Sequence, residues 1–223
     1  MNVGALMTLA AIAMGGVVVW SMLFNKTARI RRAIKRVVPT TIAQAAEGVP
    51  IRIAGVVQPG ETLTAPLTGR VCVLFEMVVE EHVSNGKSGS WRQRAREVHG
   101  VPFAVVDGTG RALIDPRAAQ LDVHIDTTTK SGSFDDPTPA ERAVLARYQV
   151  AGQGWVFNKK LRYREGVFEV GERVTITGVA VREPDPEGVG QMAGYRGASP
   201  TRLRVGGRPD APLMISDDVD LHR

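Results

Sequence analysis

LRYREGVFEVGERVTITG, residues 161–178, is the stretch whose reading decides the fold. Its first half alternates with a period of two. Leu161, Tyr163, Glu165 and Val167 share one face, and Arg162, Arg164 and Phe168 the other. Its second half alternates again, with Val174, Ile176, Gly178 and Ala180 opposite Arg173, Thr175 and Thr177. Between them, Glu169-Val170-Gly171-Glu172 reads as a connection in which Gly171 supplies an unusual backbone angle. The stretch is therefore two strands and their turn. It also carries three glutamates, and neighbouring carboxylates can form an acid–base pair. The alternation favours structural roles for Glu169 and Glu172. Glu165 stands apart, because its neighbours are apolar and a carboxylate there needs partners or its pKa rises. Arg173, or another arginine across the strand pair, is the expected partner.

Working outward, IRIAGVV (51–57) alternates up to Pro59-Gly60. VCVLFEMVVEEHV (71–83) and WRQRAREV (91–98), on either side of the loop SNGKSGS (84–90), read as a long hairpin. VPFAVVD-GTG-RALID (101–115) is a short one, with turn chemistry at Asp107-Gly108 and Gly110 and a stop at Asp115-Pro116. QLDVHI (120–125), RLRV (202–205) and PLMIS (212–216) are further short strands, while DTTTKSGSFDDP (126–137) reads as a polar loop. A helix follows, with Thr138 as N-cap, Pro139 at the first position and Glu141 closing a capping box. Val144, Leu145 and Tyr148 share its apolar face, and Gly152 and Gly154 end it. The irregular stretch 182–200 reads as a long loop. About nine short strands around one helix predict a mainly β, antiparallel barrel or sandwich. An OB-type Greek-key barrel with the helix closing one end is the leading candidate.

The N-terminus has a different character. Residues 3–24, VGALMTLAAIAMGGVVVWSMLF, hold no charge and are long enough, at about 33 Å as a helix, to cross a hydrocarbon core. A cleaved signal peptide needs its positive charge before the apolar run and a small-residue cleavage site after it. Here Lys26, Arg29, Arg31, Arg32, Lys35 and Arg36 all follow the run. The stretch 1–24 is therefore read as a single-pass anchor and 25–49 as a basic juxtamembrane linker. The cations place the N-terminus outside and the remainder in the cytoplasm, and they offer a grip on anionic headgroups. Gly15-Gly16 permits close helix–helix approach and hence a homo-oligomer. Arginines outnumber lysines 22 to 6, as in GC-rich bacterial genomes, which points to a bacterial inner membrane.

The chain's pI of about 9.7 comes from that short segment. Residues 37–223 hold 22 basic and 23 acidic side chains, so the domain is near neutral and no nucleic-acid partner is expected. Arg92, Arg94 and Arg96 share a strand face, read as solvated, with a membrane-facing stripe as the alternative. His82, His99, His124 and His222 have no metal-ligand spacing, and Cys72 lies in an apolar run, so neither a metal nor a cofactor is expected.

GVVQPGETLTAPLTGRVCVLFEMVVEE (55–81), the lone Trp91, VPFAVVDGTGRALIDP (101–116) and YREGVFEVGERVTITGVA (163–180) together resemble the GIDE domain, also called BAM for "beside a membrane". That domain occurs in mitochondrial membrane-anchored RING-type ubiquitin ligases and their prokaryotic relatives. The resemblance implies a β-rich domain lying against a bilayer, here residues 50–217 followed by a tail at 218–223. It makes Trp91, Asp107, Gly110, Glu165, Gly171, Glu172 and Gly178 signature positions rather than catalytic ones. In the ligases the chemistry resides in a RING, and this sequence has one cysteine and no Cys/His zinc array. The reading is a non-catalytic module that binds a protein, peptide or lipid at the membrane surface, through loops 84–90 and 182–200 and the basic segment 26–36. The alternatives are an enzyme using Glu165 and Glu172, and a membrane scaffold that oligomerises.

Overall fold

The computed structural model describes residues 27–84, 86, 89–132, 136–148, 160–184 and 201–222. The candidate anchor 3–24, with Lys26, lies outside the described residues, as do 85, 87 and 88 of the loop 84–90, 185–200 of the loop 182–200, and Gly152 and Gly154.

Twelve strands and two α-helices are described: α1 (27–36), β1 (Pro50–Pro59), β2 (Leu63–Thr64), β3 (Val71–Ser84), β4 (Gly89–Gly100), β5 (Phe103–Val106), β6 (Arg111–Ile114), β7 (Gln120–Asp122), β8 (Thr127–Ser131), α2 (Pro139–Arg147), β9 (Leu161–Glu169), β10 (Arg173–Pro184), β11 (Thr201–Gly206) and β12 (Met214–Ser216). One sheet closes on itself. Its ring runs β1-β5-β6-β11-β10, and β10 returns to pair with β1 from Arg173↔Val56 to Val179↔Pro50. Closure leaves the ring without free edges. β12 extends the other edge of β10 and carries β7. The pairings β6–β11 and β7–β12 are parallel, so the barrel is not purely antiparallel as expected.

The opening stretch behaves as its alternation requires. Val174, Ile176 and Ala180 fill the barrel with Ile53, Phe103, Val105, Ile114, Leu203 and Val205. Gly178 is the place where a side chain would not fit, since a Cβ would stand 2.6 Å from the Gly206 carbonyl oxygen and 2.8 Å from Val205 Cγ1. Gly171, at φ +87°, turns the chain between β9 and β10.

A second sheet is inserted in two pieces. β2, β3 and β4 leave the ring between β1 and β5, while β8, α2 and β9 leave it between β6 and β10. They assemble with β3 and β9 in the middle, β4 and β2 on one edge of β3, and β8 beside β9. Phe75, Met77, Val79, Leu161 and Tyr163 make its core. The expected capping box forms, with Thr138 Oγ1 accepting from the Glu141 N–H and Glu141 Oε2 from the Thr138 N–H at 2.7 Å. The helix does not close an end of the barrel, however. Val144 and Leu145 are buried against the second sheet, whose Leu161 and Tyr163 match that face.

The polar run at 126–137 also departs from its loop reading. Thr127–Ser131 is a strand because β9 offers it an open edge. Its inward side chains find partners, the buried Ser131 Oγ with Tyr163 Oη at 3.1 Å and the half-buried Thr129 Oγ1 donating to Glu141 Oε1 at 2.6 Å. Residues 27–45 are packed onto the barrel rather than strung beside it. Ile30 and Ile34 of α1 bury against Met214 and Leu221, so residues within both the linker and the tail contribute to a small outer core.

Candidate functional site

The site begins with the spacing of α1. Ile30, Ile34 and Val37 fall at i, i+4 and i+7, one face of a helix, and the two isoleucines are buried. Val37-Val38-Pro39 ends the helix, since a residue preceding proline is disfavoured in the α region. Arg29, Arg32 and Arg36 lie on one flank of that face, Arg31 and Lys35 on the other. Arg31 docks the helix. Its Nε donates to Asp122 Oδ2 at 2.7 Å, and its guanidinium lies 2.6 Å from Asp218 Oδ2. Asp122 is 2% exposed and also accepts from Ser216 Oγ at 2.7 Å. Arg29, Arg32, Lys35 and Arg36 are exposed and meet no carboxylate among the described residues.

Beside this flank runs a groove of about 960 Å³ between α1 and the outer wall of the barrel. Arg29, Arg32, Ala33, Arg36 and Val37 line one side, and Asp210, Ala211, Pro212 and Met214 with Gln120 the other. Thr177 and Gly178 of β10 also line it. Thr177 is 2% exposed, yet its hydroxyl has no hydrogen-bond partner.

The two glutamates proposed as an acid–base pair serve separate backbone turns. Glu165 is fully buried and accepts from Leu67 N at 2.7 Å, Thr68 N at 3.1 Å and Thr68 Oγ1 at 2.5 Å. The apolar face was legible, but the partner is the turn after Thr64 rather than an arginine. Glu172 folds back on its own turn and accepts from Glu169 N at 2.8 Å. Burial first, then Asp217, Glu169 and Asp126 nearby, push its carboxyl up to about 7. Burial likewise pushes Asp217 up to about 6, where Oδ2 accepts from His124 N while Oδ1 is buried without a partner.

These two carboxyls give the domain a pH dependence. The folded state holds protons that the unfolded chain has released above its ordinary values of 4.5 and 3.8. The stability they contribute is present below those values and lost as pH rises through about 6 and about 7. His222, lowered by burial, works in the opposite sense, so the readout is a difference. The melting temperature is expected to fall more from about pH 5 to about pH 7.5 in the wild type than in a Glu172→Gln/Asp217→Asn variant. Equal slopes would contradict the assignment.

The sequence model of the GIDE family, described as "E3 Ubiquitin ligase", matches residues 76–189. This chain belongs to the GIDE family. No curated protein and no solved structure matches it. The matched GIDE region runs from the middle of β3 past the end of β10, and so contains Thr177 and Gly178 but not α1. Within the GIDE domain, Asp107 accepts from Thr109 N, Thr109 Oγ1 and Gly110 N, and from Ile42 N at 2.8 Å. It thereby ties the 41–45 segment to the β5–β6 turn, where a Cβ on Gly110 would meet Ile42 Cγ2 at 2.8 Å. Trp91 packs edge-on to His82, with the Arg162 guanidinium 4.4 Å from its ring centre. Arg94 pairs with Glu81 and Arg96 with Glu76, which makes this GIDE strand face an ion-paired one. Cys72 is buried and its thiol pushed up to about 11 by burial, as suits a packing residue.

Proposed function

We propose that this GIDE chain is a membrane-surface binding module, held by an anchor at residues 3–24, with its β-domain in the cytoplasm and the cationic flank of α1 facing lipid headgroups. One observation carries this reading: Arg29, Arg32, Lys35 and Arg36 stay exposed and meet no carboxylate among the described residues, directly after the uncharged run. Arg31, in the same helix, is fully engaged by Asp122 and Asp218. Cations near an anionic surface contribute about 1 kcal/mol each, so four contribute roughly 4 kcal/mol. The ring order β1-β5-β6-β11-β10, with β6 and β11 parallel, supports an OB-type barrel as the platform. Ligase activity is not carried to this chain, because a single cysteine and four histidines cannot compose a RING's zinc sites. An acid–base role is disfavoured because Glu165 and Glu172 each bind backbone amides.

The test is hydrogen–deuterium exchange of the full chain in lipid nanodiscs. Anionic discs are expected to slow exchange in residues 27–38 and 208–214 relative to neutral ones, and to leave β3 and β4 unchanged.

A further inference from the structure

We propose that the groove beside α1 binds the phosphodiester headgroup of an anionic glycerolipid. This rests on the membrane-surface reading and sharpens it, from a charged face to a pocket with a defined occupant. The groove's 960 Å³ falls within the size of small-ligand sites. Its helix wall carries Arg29, Arg32 and Arg36, whose guanidinium forks match phosphate oxygens. Thr177 supplies the independent sign of a ligand. A buried hydroxyl is ordinarily hydrogen-bonded, and that of Thr177, a residue of the groove lining, is not. A glycerol hydroxyl or ester oxygen in the groove would satisfy it.

The remaining lining fixes the chemistry further. Among the described residues Asp210 is the only carboxylate on the groove, and Arg208 lies 3.4 Å from it. Its charge disfavours a doubly charged phosphate monoester more than a singly charged diester. Ala33, Val37, Pro212 and Met214 offer apolar contact to a glycerol backbone and the first methylenes of its chains. Arg29 follows Phe24, the last residue of the uncharged run, by five positions, which suits headgroup depth.

The experiment titrates the full chain, in neutral detergent micelles, with short-chain phosphatidylglycerol. Short-chain phosphatidylcholine, glycerol phosphate and inorganic phosphate are the comparison probes. Phosphatidylglycerol is expected to bind saturably, one per chain. Thr177→Val is expected to weaken that binding about 5-fold, the worth of one hydrogen bond, while raising the melting temperature of the ligand-free chain. Arg29→Gln/Arg36→Gln is expected to weaken it about 10-fold or more. Unsaturable binding, or wild-type affinity in Thr177→Val, would overturn the pocket. Exchange protection of α1 on anionic discs would then still stand, and with it the membrane-surface reading. Glycerol phosphate binding as tightly as phosphatidylglycerol would overturn the lipid as occupant.

Discussion

Glu165→Ala is expected to lower the unfolding free energy by about 3–5 kcal/mol, the largest effect of any single substitution considered. The carboxylate is fully buried and accepts three hydrogen bonds from one turn, two from the Leu67 and Thr68 amides and one from the Thr68 hydroxyl. Alanine empties a fully buried position beside the second core and leaves the half-buried Leu67 amide without its acceptor, at about 1–3 kcal/mol for a stranded group, while the two donors of the exposed Thr68 lose a charged acceptor and turn to water. The turn is also where β3 begins, since Ala65 N donates to Arg70 O and Cys72 pairs with Leu63. The damage should therefore reach the β3–β9 ladder. Glu165→Gln keeps one acceptor oxygen but turns an NH₂ group towards the remaining donors, so about half the loss is expected. Chemical denaturation of the three proteins in matched micelles measures both. A loss under about 1 kcal/mol for alanine would mean that the turn finds other acceptors.

The second large effect belongs to Asp122, which holds α1 to the barrel from the end of β7. Removing it strips Arg31 of one of its two carboxylates and leaves the Ser216 hydroxyl without its acceptor. Asp122→Ala is expected to cost about 2–4 kcal/mol, less than a fully buried pair because Arg31 is partly exposed. The loss is expected to be local. Ile30 and Ile34 lose their seat against Met214 and Leu221, and the groove loses its helix wall. Exchange in residues 27–36 is expected to accelerate while the β1–β10 ladder stays protected. Replacing both partners, Arg31→Met with Asp122→Leu, is expected to restore only part of the stability, because an apolar pair fills the site while Asp218 loses its cation and Ser216 its acceptor. Uniform acceleration across the barrel would show that Asp122 supports the whole domain rather than the docked helix.

What the sequence disclosed follows from how far apart the interacting residues lie. The capping box at Thr138–Glu141 and the β3–β4 hairpin are local, and both formed as their patterns require. The apolar surroundings of Glu165 were equally plain from alternation. Its partners were not, because Leu67 and Thr68 lie 98 and 97 residues away and donate backbone amides, which leave no trace in residue type. The basic segment misled by composition. Its charges read as a linker, while the signal for a docked helix was Ile30, Ile34 and Val37 at helical spacing among them. The strand at Thr127–Ser131 was hidden for a related reason: five polar residues carry no apolar alternation, and an edge beside β9 decides their conformation. Arg29, Arg32, Arg36 and Gly178 stand out in the sequence, but nothing in it says that they meet in one groove. Thr177 looked like the outward side of a strand, and its significance lies in a missing partner that only packing reveals.

The membrane-surface proposal stands on the exposed cations of α1, which meet no carboxylate among the described residues. Deuterium exchange in nanodiscs tests it most directly when the full chain is compared with an Arg29→Gln/Arg32→Gln/Lys35→Gln/Arg36→Gln variant. In the wild type, anionic lipid is expected to slow exchange at residues 27–38 and 208–214 relative to neutral lipid, and in the variant that difference is expected to vanish. Protection that appears instead on the β3–β4 hairpin, or that persists unchanged in the variant, would mean that α1 is not the bilayer contact.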